Sequence, residues 1–154
     1  MRVTNLTEYA LIIGLHLARR RREGAGTVAA RELSEIERLP ADYVEQILLR
    51  LRRSGLVDSV RGARGGYLLS RDAEHVTVRD VMLASDHRIF ELNCDTQLLD
   101  TERCSPSTAC QIRPVWRALQ GRIDDLLGSI TLADLLQDAT LTAQDVVTLA
   151  GSAQ

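Results

Sequence analysis

From Pro40 to Leu69 the chain writes a helix and then a hairpin with almost nothing between them, and that run limits the fold more than any other part of it. Pro40 suits a helix start, where its missing N–H costs nothing. Val44, Ile47, Leu48 and Leu51 then fall at i, i+3, i+4 and i+7, which predicts a helix from about Ala41 to Ser54 with that stripe buried. Asp42, Tyr43, Glu45, Gln46, Arg50 and Arg53 occupy the opposite face. Gly55 offers the left-handed cap that ends such a helix. Two short apolar or β-branched stretches follow, Leu56 to Arg61 and Tyr67 to Leu69, joined by the turn signal Gly62-Ala63-Arg64-Gly65-Gly66.

Two helices are expected ahead of this run. Thr4 or Asn5 caps the first, whose apolar positions Leu6, Tyr9, Ala10, Ile13 and Leu17 keep the helical period. Arg19 to Arg22 close it with cations that suit the negative end of the helix dipole. A shorter helix spans roughly Val28 to Ile36, with Ala29, Leu33 and Ile36 as its inner stripe. Helices meeting at a turn, then a hairpin with arginine at its tip, make a winged helix-turn-helix: the third helix is the natural major-groove reader and the hairpin the backbone or minor-groove reader.

Charge agrees with that reading. Residues 1–71 hold 13 arginines against 8 acidic residues, while residues 72–154 hold 6 against 13, so the net −2 conceals a basic front half suited to an anionic partner. Tyr43, Glu45, Gln46 and Arg50 are the expected base readers, since glutamine pairs with adenine edges and glutamate accepts from cytosine N4. Arg61 and Arg64 flank the wing turn and suit phosphates or a narrow minor groove. Arg2, Arg52 and Arg53 are expected to add phosphate contacts. The plain alternative for each arginine is a solvated charge.

The back half differs. Thr77-Val78-Arg79-Asp80 opens a short helix through Ala84 by a capping box, and Thr131 to Asp134 opens another. Between Ile112 and Ser129 a long amphipathic helix carries Ile112, Val115, Trp116, Leu119, Ile123, Leu126 and Leu127 on one stripe, more apolar surface than the head can cover. Homodimerisation through it is the simplest use, giving a palindromic double-stranded operator with two half-sites, and the plain alternative is a helix packed only on its own subunit. The expected fold class is therefore mainly α with a small β-hairpin wing. Its parts are a winged helix-turn-helix domain at 1–84, a cysteine-bearing loop at 85–111, the dimerisation helix with a short final helix at 112–138, and a tail at 139–154.

The segments Glu8-Tyr9-Ala10, Tyr43 to Leu48, Ser54 to Gly62, Gly65 to Leu69 and Ile130 to Leu135 resemble the bacterial winged-helix transcription regulator family that includes IscR, NsrR and RirA. The likeness covers about residues 1–136, and the Val60-Arg61-Gly62…Gly65-Gly66-Tyr67 wing is its most specific part. It implies a homodimeric regulator, by default a repressor, in which three cysteines between the head and the dimer helix hold an iron–sulfur cluster. Cys94, Cys104 and Cys110 occupy that place.

Ligand chemistry supports the assignment. An odd number of cysteines cannot pair internally, and soft thiolates suit iron–sulfur clusters or zinc. The spacing Cys-x9-Cys-x5-Cys lacks the close pair typical of zinc fingers. The IscR pattern places a histidine three residues after the last cysteine, where this chain has Arg113, which stays protonated and does not ligate. In NsrR an acidic residue near the start of the first helix, from the partner subunit, supplies the fourth ligand, and Glu8 stands at that position. That resemblance favours a four-iron over a two-iron cluster, sensing iron, redox state or nitric oxide. Glu8 has a second explanation: with Asn5 as N-cap it closes a capping box. His16, His75 and His87 are weaker ligand candidates.

The rival function is the same DNA-binding regulator without a cluster, responding to thiol oxidation or a small metabolite. No phosphate loop or nucleophile elbow points to an enzyme. The apolar run from Ala10 through Gly14 is far too short to span a bilayer, and no signal peptide is evident, so the expected location is the cytoplasm without membrane attachment.

Overall fold

The computed structural model describes residues 3–85, 110–137 and 148. Helix α1 spans Asn5–Arg22, α2 Ala30–Glu37 and α3 Ala41–Arg53; strands β1 (Val57–Val60) and β2 (Gly66–Leu69) follow. A single 3-10 turn (Ala73–His75) leads to α4 (Val78–Ser85), and beyond residue 109 come α5 (Arg113–Ser129) and α6 (Leu132–Gln137). The fold is the expected helical head with a two-stranded wing.

The head is organised around α1. Ile13 and Leu17 are buried at its centre, and the α3 stripe Val44, Ile47, Leu48 and Leu51 packs into the same core as Leu33, Leu56, Val57, Leu69 and Val76. The i, i+3, i+4, i+7 spacing puts four aliphatic side chains on one α3 face, so a single helix seals the floor of the head. Gly55, at φ +76, turns the chain out of α3 directly into β1.

The wing pairs antiparallel with Val57 opposite Leu69 and Val60 opposite Gly66. A third partner was not legible in the sequence. Val28 exchanges both backbone hydrogen bonds with Tyr67, at 3.0 and 2.8 Å, and so anchors β2 to the approach of α2. That bridge corrects the expected second helix, which begins at Ala30 rather than Val28. Its inner stripe reduces to Leu33; Ile36 is 52% exposed and Ala29 is exposed as well.

Threonine caps mark the scaffold helices. Thr4 is the N-cap of α1, its Oγ1 accepting from the Thr7 N–H at 3.3 Å. At α4, Thr77 and Asp80 close a reciprocal box at 3.1 Å each way; at α6, Thr131 and Asp134 do so at 2.8 and 3.1 Å. A short bridge between Thr77 and Thr131 then ties α6 to the head, and Leu132 enters the head core fully buried.

The arginine run that ends α1 does more than complement a dipole. Arg20 donates to the carbonyls of Ala25 and Thr27, Arg21 to Asp72 and the Leu69 carbonyl, and Arg22 to the Leu136 carbonyl. Three cations from the basic front half are thus engaged in holding turns, the wing strand and α6 against α1.

Helix α5 divides in two. Ile123, Leu126 and Leu127 pack on Val78, Met82 and Ile130. Toward its start, Ile112, Val115, Trp116 and Leu119 stay exposed, the first two by 61% and 62%. No helix among the described residues is long and apolar enough to cross a membrane.

Candidate nucleic-acid interface

Helices α2 and α3 begin without any side-chain cap: Ala29 and Pro40 hold the N-cap positions. The first-turn N–H groups of both therefore lack the side-chain acceptors that threonine supplies elsewhere in this fold. Arg38, at φ 55, makes the left-handed turn between the two helices.

The solvent face of α3 is centred on Asp42, Gln46, Leu49 and Arg53, the positions opposite the buried stripe. Asp42, Glu45, Gln46 and Leu49 line one open groove of about 530 Å³ whose other walls are Ala30 at the start of α2 and Tyr67 of the wing. Of the expected readers, Glu45 and Gln46 therefore face the groove between helix and wing. Tyr43 and Arg50 lie at the far edge of the same face. Tyr43 packs edge-on against Tyr9 of α1, ring centroids 5.7 Å apart. The Arg50 guanidinium donates to the carbonyl of Ser85, where it caps the C-terminus of α4. Arg52 donates to Ser59 Oγ of β1 at 3.2 Å. Arg53 is exposed.

At the wing tip, Gly65 N–H donates to the Gly62 carbonyl at 2.9 Å, and Thr27 Oγ1 donates to the Arg64 carbonyl at 2.9 Å. The turn is pinned by its backbone while the Arg61 and Arg64 side chains stay exposed. Neither pairs with a carboxylate among the described residues. Arg2 lies outside the described residues.

A second cluster of expectations concerns ligands. Cys94, Cys104 and His87 lie outside the described residues. Cys110 is half-buried just ahead of α5, and its Sγ accepts from the Arg113 N–H at 3.4 Å. That backbone donor, then the N–H of Ile112, holds the thiol below its ordinary pKa. A thiolate favoured in the folded chain contributes stability above the ordinary thiol pKa, and the contribution is lost as pH falls through the lowered value. In metal-free protein near neutral pH, Cys110 is accordingly expected to react with iodoacetamide faster than the thiol of a short peptide. Mass spectrometry of the alkylated chain measures this, and equal rates would contradict it.

Glu8 is exposed in the first turn of α1. Because Thr4 and not Asn5 is the N-cap, Thr7 takes the N3 position, and the capping-box explanation of Glu8 is corrected. Its carboxylate makes no hydrogen bond or ion pair among the described residues. His16 is 8% exposed with Nδ1 2.6 Å from Glu37 Oε1, linking α1 to α2, and His75 sits exposed in the 3-10 turn.

The comparisons with known proteins agree with this geometry. The family model for Rrf2, the iron-dependent transcriptional regulators, matches residues 3–138. The HTH-type transcriptional regulator IscR of Photorhabdus laumondii is 36% identical over 151 residues, 98% of this chain and 85% of that protein. Among solved structures, T. potens IscR superposes with a TM-score of 0.69 at 30% identity, covering 91% of this chain and 89% of that one. The oxidized form of Staphylococcus aureus CymR superposes with a TM-score of 0.67 at 26% identity, over 92% of this chain and all of that one.

Proposed function

Because the chain belongs to the Rrf2 family and is a DNA-binding transcription regulator, we propose that it acts as a homodimer on a palindromic operator and senses iron, redox state or nitric oxide through an iron–sulfur cluster. Cys94, Cys104 and Cys110 hold the cluster, with Glu8 as the fourth ligand donated across the dimer. Repression is the default outcome, since a dimer lying across a promoter excludes polymerase without any further contact.

The observation that carries this reading is the placement of Cys110. Its thiol, held below the ordinary pKa by backbone N–H donors, lies just ahead of α5, next to the stripe of Ile112, Val115, Trp116 and Leu119 that stays exposed. One proposed ligand, Cys110, thus adjoins the proposed dimer surface, tied to the first turn of α5 through the Arg113 N–H. Glu8 fits because its carboxylate is exposed and uncommitted on the helix around which the head is built. A bound cluster supplies iron and electron chemistry that responds to iron supply, oxidants and nitric oxide. The chain supplies the rest. Cys110 is held by backbone N–H groups, α5 carries its position toward α4 through Ile123, Leu126 and Leu127, and Arg50 joins α4 to the reading helix. A change in how Glu8 is held then alters the setting of two reading heads.

A second reading keeps the same head and replaces the cluster by reversible oxidation of the cysteines or by a bound metabolite. Its thiol form is favoured by the lowered pKa of Cys110 and by the similarity to CymR, whose solved forms include an oxidized one.

In DNA reading, Gln46 and Glu45 address base edges from the groove while Arg61, Arg64 and Arg53 meet phosphates or the minor groove. The test is a pair of variants titrated against a selected operator across salt concentrations. Gln46→Ala is expected to lose about 1–3 kcal/mol of discrimination at one base pair with little change in salt slope. Arg64→Ala is expected to weaken binding to every sequence alike and to lower the salt slope by about one. An equal loss across all sequences for Gln46→Ala would contradict the assignment of α3 as reader.

A further inference from the structure

We propose that Leu49 reads a thymine methyl group. The inference rests on α3 entering the major groove and adds a specificity determinant of a different chemistry from the polar readers. Leu49 is 40% exposed, although α3 already has a complete buried stripe in Val44, Ile47, Leu48 and Leu51. It stands three residues after Gln46, four after Glu45 and seven after Asp42, so the four share one ridge and line the same groove. A branched aliphatic side chain among two carboxylates and an amide gains nothing from water there. The C5 methyl of thymine is the apolar feature that a major groove offers it.

The spacing also gives a position. Three residues of helix advance about 4.5 Å along the axis, against about 3.4 Å per base pair of duplex. The thymine contacted by Leu49 therefore neighbours the base pair read by Gln46.

The experiment begins with selection of an operator from a random-sequence duplex library, using the full-length chain purified without oxygen. Each thymine of that operator is then replaced in turn by deoxyuridine, which removes the methyl and leaves the pairing edge intact. One thymine next to the Gln46-dependent position is expected to matter: its replacement weakens binding about fourfold, the burial of one methyl-sized group. In Leu49→Ala the same replacement is expected to have no effect. Leu49 is exposed, so that variant keeps its core, and an unchanged melting temperature checks it. An operator that responds to Gln46→Ala yet tolerates deoxyuridine everywhere, or responds equally in both proteins, overturns the role of Leu49 alone. A library that yields no preferred sequence overturns α3 as the reader and Leu49 with it.

Discussion

A Gly66→Ala chain is expected to lose its wing, with a fall in melting temperature and at least a tenfold loss of operator affinity. Gly66 sits at φ +156, and an alanine Cβ there would lie 2.5 Å from the Val28 carbonyl oxygen and 2.7 Å from its carbon. Both are backbone atoms that cannot swing aside. Relief requires β2 to part from Val28, which breaks the two Val28–Tyr67 hydrogen bonds. Each is worth about 1 kcal/mol, and the strained backbone adds about 1–2 kcal/mol. For a chain of this size, a total near 3 kcal/mol lowers the midpoint by about 6–12 °C. Thermal unfolding and operator titration measure the two losses. Gly62→Ala is the comparison: at φ +121 it shares the backbone strain, but no atom lies within 4 Å of a Cβ there, so the difference between the two isolates the Val28 clash. A Gly66→Ala chain with unchanged melting and binding would contradict the anchoring of the wing through Val28.

The other large effect concerns α5. The double substitution Trp116→Glu with Leu119→Glu is expected to leave the head folded and the chain monomeric. Both side chains are exposed by more than 40%, on the part of the stripe that α4 does not cover. Two carboxylates at the centre of a dimer seam would be buried without partners. Operator affinity should then fall by about 10²- to 10⁴-fold, because the second half-site is no longer bound at high effective concentration. Sedimentation velocity and titration of the palindrome read both quantities. A double variant that remains dimeric and binds normally would place the partner surface elsewhere.

Much of the head was legible because its signals are local. The α3 stripe, the glycine after it, the two threonine–aspartate boxes and the wing turn each sit within a few residues, and each is found where the spacing predicts it. What escaped is long-range. Val28 joins the wing through a single bridge, too short to leave a period in the sequence, so it reads as the start of a helix. Ile36 has the right spacing for an inner position, but α2 turns it outward. Leu132 enters the head core from beyond the long helix through the Thr77–Thr131 bridge.

The interface was legible by residue type and less so by role. Arginine count overstates the charge offered to DNA, because Arg20, Arg21, Arg22 and Arg50 are engaged with carbonyls or carboxylates of the head. Tyr43 fits a base reader by position and packs on Tyr9. Leu49 was missed for the opposite reason: an aliphatic residue beside a buried stripe reads as core, and only the helix orientation turns it to the groove. A hint was present in the spacing, since Leu49 follows Asp42 by seven residues on the polar face.

The central claim is that the cysteines hold a sensing iron–sulfur cluster. Its most direct test is purification without oxygen followed by ultraviolet–visible and Mössbauer spectra with iron and sulfide counts. The account predicts a brown protein with a broad four-iron band, stoichiometric iron and sulfide, and loss of all three signals in Cys110→Ala. A colourless, iron-free protein that still dimerises and binds its operator would contradict it and leave the thiol or metabolite sensor in its place.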